Sequence, residues 1–169
     1  MRTFIPIVLA SCLLLSCQRT KPQAPSRHSE QDSTKIAMLL LTQRIAEEAD
    51  RELTGYVSHS ETEYVLDNTG FWYRYITRND GNRLQKGEKT LIRAQVYAMD
   101  GKLLLDSQEE VTVGKKETIS AIDAMLRMMR KGEECELLVP WYMAFGATGS
   151  QDIPPYTNVK IELTTYSAY

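Results

Sequence analysis

The chain has 169 residues, 43% of them hydrophobic and 25% charged, with 20 basic against 22 acidic side chains and a formal net charge of −2. That is an ordinary globular composition, long enough for one domain plus an extension, and its near-balanced charge excludes the basic footprint of a nucleic-acid-binding protein. Two histidines, three cysteines and the absence of any CxxC, HExxH or Gly-rich phosphate loop leave metal, redox and nucleotide chemistry without residues to stand on, so neither metal nor cofactor is expected.

The chain opens on Met1-Arg2 and an apolar run from Ile5 to Leu15. The run is too short to span a bilayer, which takes about 20 residues, and it has the anatomy of a secretory signal. It ends in Leu14-Leu15-Ser16-Cys17, which resembles the lipobox of bacterial lipoproteins. The resemblance implies a signal peptide over residues 1–16 and lipidation of Cys17. Residues 17–33 are then a polar tether carrying Pro22 and Pro25. Gln18-Arg19-Thr20-Lys21 contains no acid, which by the same resemblance implies a lipid-anchored position in the cell envelope, on the outer membrane facing the periplasm. Cys12 leaves with the signal, so Cys135 has no disulfide partner. Its alternation with Leu137 and Val139 reads as a core position.

Residues 34–57 predict a helix. Met38, Leu41, Ile45, Ala49, Leu53 and Tyr56 recur at three- and four-residue steps, and Asp32 or Ser33 is placed to cap its start. An apolar stripe has to be buried somewhere. Packing on the chain's own domain and pairing with a second copy through residues 36–57 are both open. With a connector, this segment covers residues 34–68.

From Thr69 the signals turn to strand, and residues 69–169 read as the main domain. Gly70 to Ile76 is aromatic and β-branched, and Thr90 to Met99 alternates, with Asp100-Gly101 as a hairpin turn. Leu103–Ser107 and Glu110–Val113 predict two short strands, Thr118–Arg130 a short amphipathic helix, and Asn158–Tyr166 a last strand. The fold class is α+β: an antiparallel sheet of five to six strands on one short helix, with an N-terminal helical extension.

One stretch organises the domain. Gly132 opens a turn, a strand runs from Glu134 to Val139, and Pro140 stops it. The aromatic segment Trp141 to Phe145 follows, then Gly146, Gly149 and the exit Ile153-Pro154-Pro155. The order and spacing of Gly132, Pro140, Ala144-Phe145-Gly146 and Ile153-Pro154-Pro155 resemble the signature of the FKBP-type peptidyl-prolyl cis-trans isomerases, and the resemblance runs from about Gly70 to Tyr166. It implies an FKBP-like sheet and an isomerase acting on proline-containing polypeptide clients. It also implies site residues: Asp106 and the loop residue Phe145 for the reaction, the backbone donor of Ile119 beside Thr118, and Leu105, Ile122, Ile153 and Ile161 around the prolyl ring. Where the family usually has aromatic residues or a loop tyrosine, this chain has Leu105, Ile122, Ile161 and Phe145, with Ala94 in place of a strand tyrosine. Such a pocket stays apolar but loses aromatic area and a hydroxyl. Three readings follow: a lipid-anchored prolyl isomerase assisting folding in the envelope; the same fold as a catalytically weak binding module or chaperone; and a structural lipoprotein working through residues 36–57.

Overall fold

The structure, a computed structural model, describes residues 27–166, with side chains from residue 32 onward. The expected signal peptide, Cys17 and most of the expected tether lie outside the described residues. The contacts separate a unit ending at Leu39 from a unit running from Leu40 on. The described part of the first is helical, and the second holds the sheet.

Helix α1 runs Arg27–His59, seven residues earlier than the pattern predicted. Asp32 and Ser33 are therefore inside the helix and do not cap it. Pro25 is the last helix breaker before the run, and nothing between it and Thr34 opposes helix. His59 closes the other end, its ring Nδ1 donating to the Gly55 carbonyl at 2.8 Å.

Six strands follow: β1 Val65–Leu66, β2 Trp72–Thr77, β3 Lys89–Ala98, β4 Leu103–Thr112, β5 Glu134–Val139 and β6 Val159–Thr165. They form one sheet in the order β1-β2-β5-β6-β3-β4, and every neighbouring pair is antiparallel. The two short strands expected after the hairpin are one continuous β4, because β3 is long enough to pair with all of it, from Lys89↔Thr112 to Tyr97↔Leu103. Gly101, at φ +89°, makes the turn between them.

Helix α2 is Ser120–Leu126, shorter than the thirteen-residue pattern. Ile119 before it is extended, at ψ 152°. Beyond it, the Met129 and Arg130 carbonyls are taken by the Leu84 amide at 3.1 Å and the Thr165 hydroxyl at 2.8 Å. Ala121, Ile122, Met125 and Leu126 of α2 pack with Ile92, Ala94, Val96, Leu137, Val139, Ile161 and Leu163 of the sheet in one buried core. Cys135 is part of it, its Sγ 3.6 Å from Met129 Sδ, and burial pushes its thiol far above the ordinary range.

Strand β5 alternates as expected, yet both of its faces are covered. Leu138, on the face away from α2, is fully buried. Its cross-strand partner Trp72 lines a cleft with Leu53 of α1. Glu136 is buried as well, held by Arg74 at 3.1 Å, by Lys160 at 3.7 Å and by the Tyr64 hydroxyl. Burial opposes its charge, but these partners outweigh it and hold the carboxyl below its usual range.

Candidate functional site

A cavity of about 360 Å³ opens between β3, β4, the start of α2 and the loop after β5. Its apolar walls are Ala94, Val96, Leu105, Ile119, Ile122 and Phe145; its polar groups are Ser107, Glu109, Glu117 and Thr118. Each set comes from local structure. Strand alternation puts Ala94 and Val96 of β3 on one face, and their register partners on β4 are Ser107 and Leu105. Ile119 and Ile122 stand at the start of α2, where the extended Ile119 turns the chain into the helix. A larger depression of about 540 Å³, among Glu52, Tyr56, His59 and Met99, has no comparable set of apolar walls.

Phe145 is delivered by a tied loop. Pro140 stops β5, Trp141–Met143 forms one 3-10 turn, and the Gly146 amide returns to the Trp141 carbonyl at 2.8 Å. The Tyr156 amide then bonds the Gly146 carbonyl at 3.2 Å. Asn158, almost fully buried, accepts from the Trp141 amide at 3.0 Å, so the loop's entrance and exit are joined. The same side chain donates to Glu52 Oε2 at 2.7 Å and to the Ala49 carbonyl at 3.3 Å. From the other side, the Tyr142 hydroxyl donates to Asp50 at 2.6 Å. Part of α1 thus holds the loop that carries Phe145.

Of the residues predicted from the sequence, Leu105, Ile119, Ile122 and Phe145 meet at this cavity. No turn, cap or side-chain acceptor among the described residues takes the Ile119 amide, which leaves it available as a donor. Ile153 and Ile161 do not line the cavity. Both are buried in the core, Ile161 one strand inward as the register partner of Val96, and Ile153 closing a turn with Ser150.

Asp106 requires a correction. It neighbours Leu105 and Ser107 on β4, so it stands on the opposite face of the strand from the cavity. Its carboxylate takes a two-pronged hydrogen bond from Arg93, at 2.9 and 2.7 Å, and a third from Gln95 at 3.3 Å. The Arg93 guanidinium holds it below the usual carboxylate range. It is half of a surface ion pair, and the polar groups at the cavity wall are Ser107, Glu109, Glu117 and Thr118 instead. Ser107 was detectable in sequence from the alternation Leu105, Ser107, Glu109, once the facing row Ile92, Ala94, Val96 was assigned inward.

A sequence model of the FKBP-type peptidyl-prolyl cis-trans isomerases matches residues 81–164, which include every residue lining the cavity. The fold is similar to that of a peptidyl-prolyl cis-trans isomerase from Pseudomonas syringae pv. tomato, with a TM-score of 0.62 and 21% identity over 75% of this chain and 94% of that one. It is similar also to FkpA from Escherichia coli, with a TM-score of 0.62 and 15% identity over 87% of this chain and 74% of that one. At these identities the likeness is one of fold. No curated protein sequence matches the chain.

Proposed function

This chain belongs to the FKBP-type peptidyl-prolyl cis-trans isomerase family and is a peptidyl-prolyl isomerase; we propose that it works in the cavity walled by Leu105, Ile122 and Phe145, on proline-containing polypeptides of the bacterial cell envelope. The observation that carries the site is the convergence of six apolar residues and two hydroxyls on one 360 Å³ space beside a tied loop.

The barrier to be lowered is rotation about a partial double bond, about 18–20 kcal/mol for a peptide. Twisting the bond removes its resonance and makes the amide less polar. A cavity that strips water from the amide therefore favours the twisted form over the planar one. Val96, Leu105, Ile122 and Phe145 supply that dry wall, and the prolyl ring seats against them. The carbonyl before the proline takes its hydrogen bond from the Ile119 amide or from the Ser107 or Thr118 hydroxyl. No proton is transferred, so the site needs no titrating group.

The place of action rests on the sequence. Leu14-Leu15-Ser16-Cys17 supports lipidation at Cys17 and an anchor on the outer membrane facing the periplasm. A dimer through α1 is a further part of this reading, and exposure narrows the paired segment. Ala49 and Leu53 are buried, whereas Ile36, Leu39, Leu40 and Leu41 are all more than half exposed.

The test is a cis-trans exchange measurement on short X-Pro peptides, with Phe145→Ala and Ile122→Ala beside the parent. Loss of apolar wall lowers kcat/KM by about ten- to a hundredfold, on the scale of about 1.5–3 kcal/mol per buried side chain. Parent activity at the uncatalysed rate, or variants as active as the parent, would place the chemistry elsewhere. For the anchor, Cys17→Ser should abolish fatty-acid labelling and release the protein from membranes.

A further inference from the structure

The cavity carries more charge than prolyl isomerisation requires. Glu109 lies on the inward row of β4, two residues beyond Ser107 and opposite Ile92, so its carboxylate stands on the cavity face of the sheet. Glu117 lines the same space from the segment before α2, and its Oε2 accepts the Thr112 amide at 2.7 Å, which fixes it at the rim. Neither belongs to any ion pair among the described residues.

Four other acids, three on the sheet and Asp123 on α2, have cationic partners. Asp106 is answered by Arg93, Glu110 by Lys89 at 2.7 Å, Glu136 by Arg74 and Lys160, and Asp123 by Arg127 at 2.5 Å. Lys89, which feels the Glu117 charge, is already bonded to Glu110. Two carboxylates are therefore left over where an extended peptide has to pass, above an apolar floor that seats the proline.

We infer that Glu109 and Glu117 set the substrate class: the site prefers X-Pro segments with a lysine or arginine next to the proline, and it rejects those with an acid there. This rests on the assignment of the isomerase site to this cavity. The cavity volume, near the lower end of ligand pockets, accommodates the prolyl ring and part of one neighbour. Prolyl clients with acidic flanks meet like charge at the rim, which acts as a selective penalty rather than a loss of affinity for all peptides.

The experiment measures kcat/KM by NMR exchange, without a coupling protease, for peptides bearing Lys, Leu or Glu on either side of the proline. The parent protein should favour Lys over Glu by about five- to tenfold at low salt, the scale of two partly exposed ion pairs. The ratio should fall as salt is raised and approach one in Glu109→Gln/Glu117→Gln. Equal rates for Lys and Glu peptides, or a preference that survives in the double variant, would overturn the inference while leaving the isomerase site in place. If no peptide exceeds its uncatalysed rate, the site assignment fails together with it.

Discussion

The Tyr142 hydroxyl and the Asp50 carboxylate meet at 2.6 Å, across 92 residues of sequence. One is on α1, the other on the 3-10 turn two residues short of Ala144-Phe145. Burial raises the Tyr142 phenol above its ordinary range, and the hydrogen bond to Asp50 raises it further, so the tyrosine stays a neutral donor. Beside this contact Leu53 is 1% and Ala49 5% exposed.

The second half of α1 is therefore structural for the loop. Deleting the chain through Val57 should destabilise the domain severely, since Leu53 alone is a side chain whose truncation costs about 2–5 kcal/mol. Deletion through Leu39 should leave the melting temperature nearly unchanged. Tyr142→Phe should cost about 1 kcal/mol and loosen the Phe145 loop, read as faster amide exchange at Gly146. A domain lacking all of α1 that melts at the parent temperature would show that the helix contributes nothing.

Ser107→Ala should lower kcat/KM by about two- to tenfold, the effect of one neutral hydrogen bond, with little change in stability. Asp106→Asn should leave turnover within about twofold, because its carboxylate is engaged with Arg93 on the other face and a surface ion pair contributes little. The opposite ranking in the exchange assay would return Asp106 to the site.

Gly149 cannot carry a side chain. At φ +68° an added Cβ would lie 2.2 Å from the Ile153 carbonyl oxygen, which accepts the Ser150 amide at 2.9 Å. An unstrained Gly-to-Ala change stabilises by about 0.4–1 kcal/mol, whereas Gly149→Ala should destabilise by more than that, as a lowered denaturation midpoint. Gly146, at φ +72°, has open space around it, and Gly146→Ala should be the milder of the two.

Acid should weaken the fold through Glu136 and Asp123. Both are buried and both are held below the usual carboxylate range: burial opposes their charge, but Arg74 and Tyr64 in one case, and Arg127 with the Lys116 and Gly114 amides in the other, outweigh it. A depressed folded value contributes stability above the unfolded value, about 4, and that stability is lost as the pH falls below it. The melting temperature should be steady from pH 7 to about 5 as far as these groups are concerned, and then drop. Glu136→Gln should flatten the drop. A parent melting temperature that holds or rises below pH 4 would contradict this.

By itself the sequence determined β2, β3, β5 and β6, the hairpin at Asp100-Gly101 and the loop from Pro140 to Pro155, but neither β1 nor the continuity of β4. These depend on local rules, a period of two, a missing amide donor and residues suited to turns, and each is written in a few adjacent residues. The family pattern also pointed to Leu105, Ile119, Ile122 and Phe145, and these four line one cavity in the structure. The tertiary structure decided which side of β4 faces the cavity, because alternation fixes that neighbours diverge but not which of them points inward. Pairing register with β3 settles that, and a shift of one residue exchanges Asp106 for Ser107. It likewise decided that α1 is shared, with Ala49 and Leu53 buried and Ile36 to Leu41 exposed. A helical stripe specifies an apolar face, whereas the surface that covers the turns around Ala49 and Leu53 comes from residues as distant as Trp72, Tyr142 and Asn158.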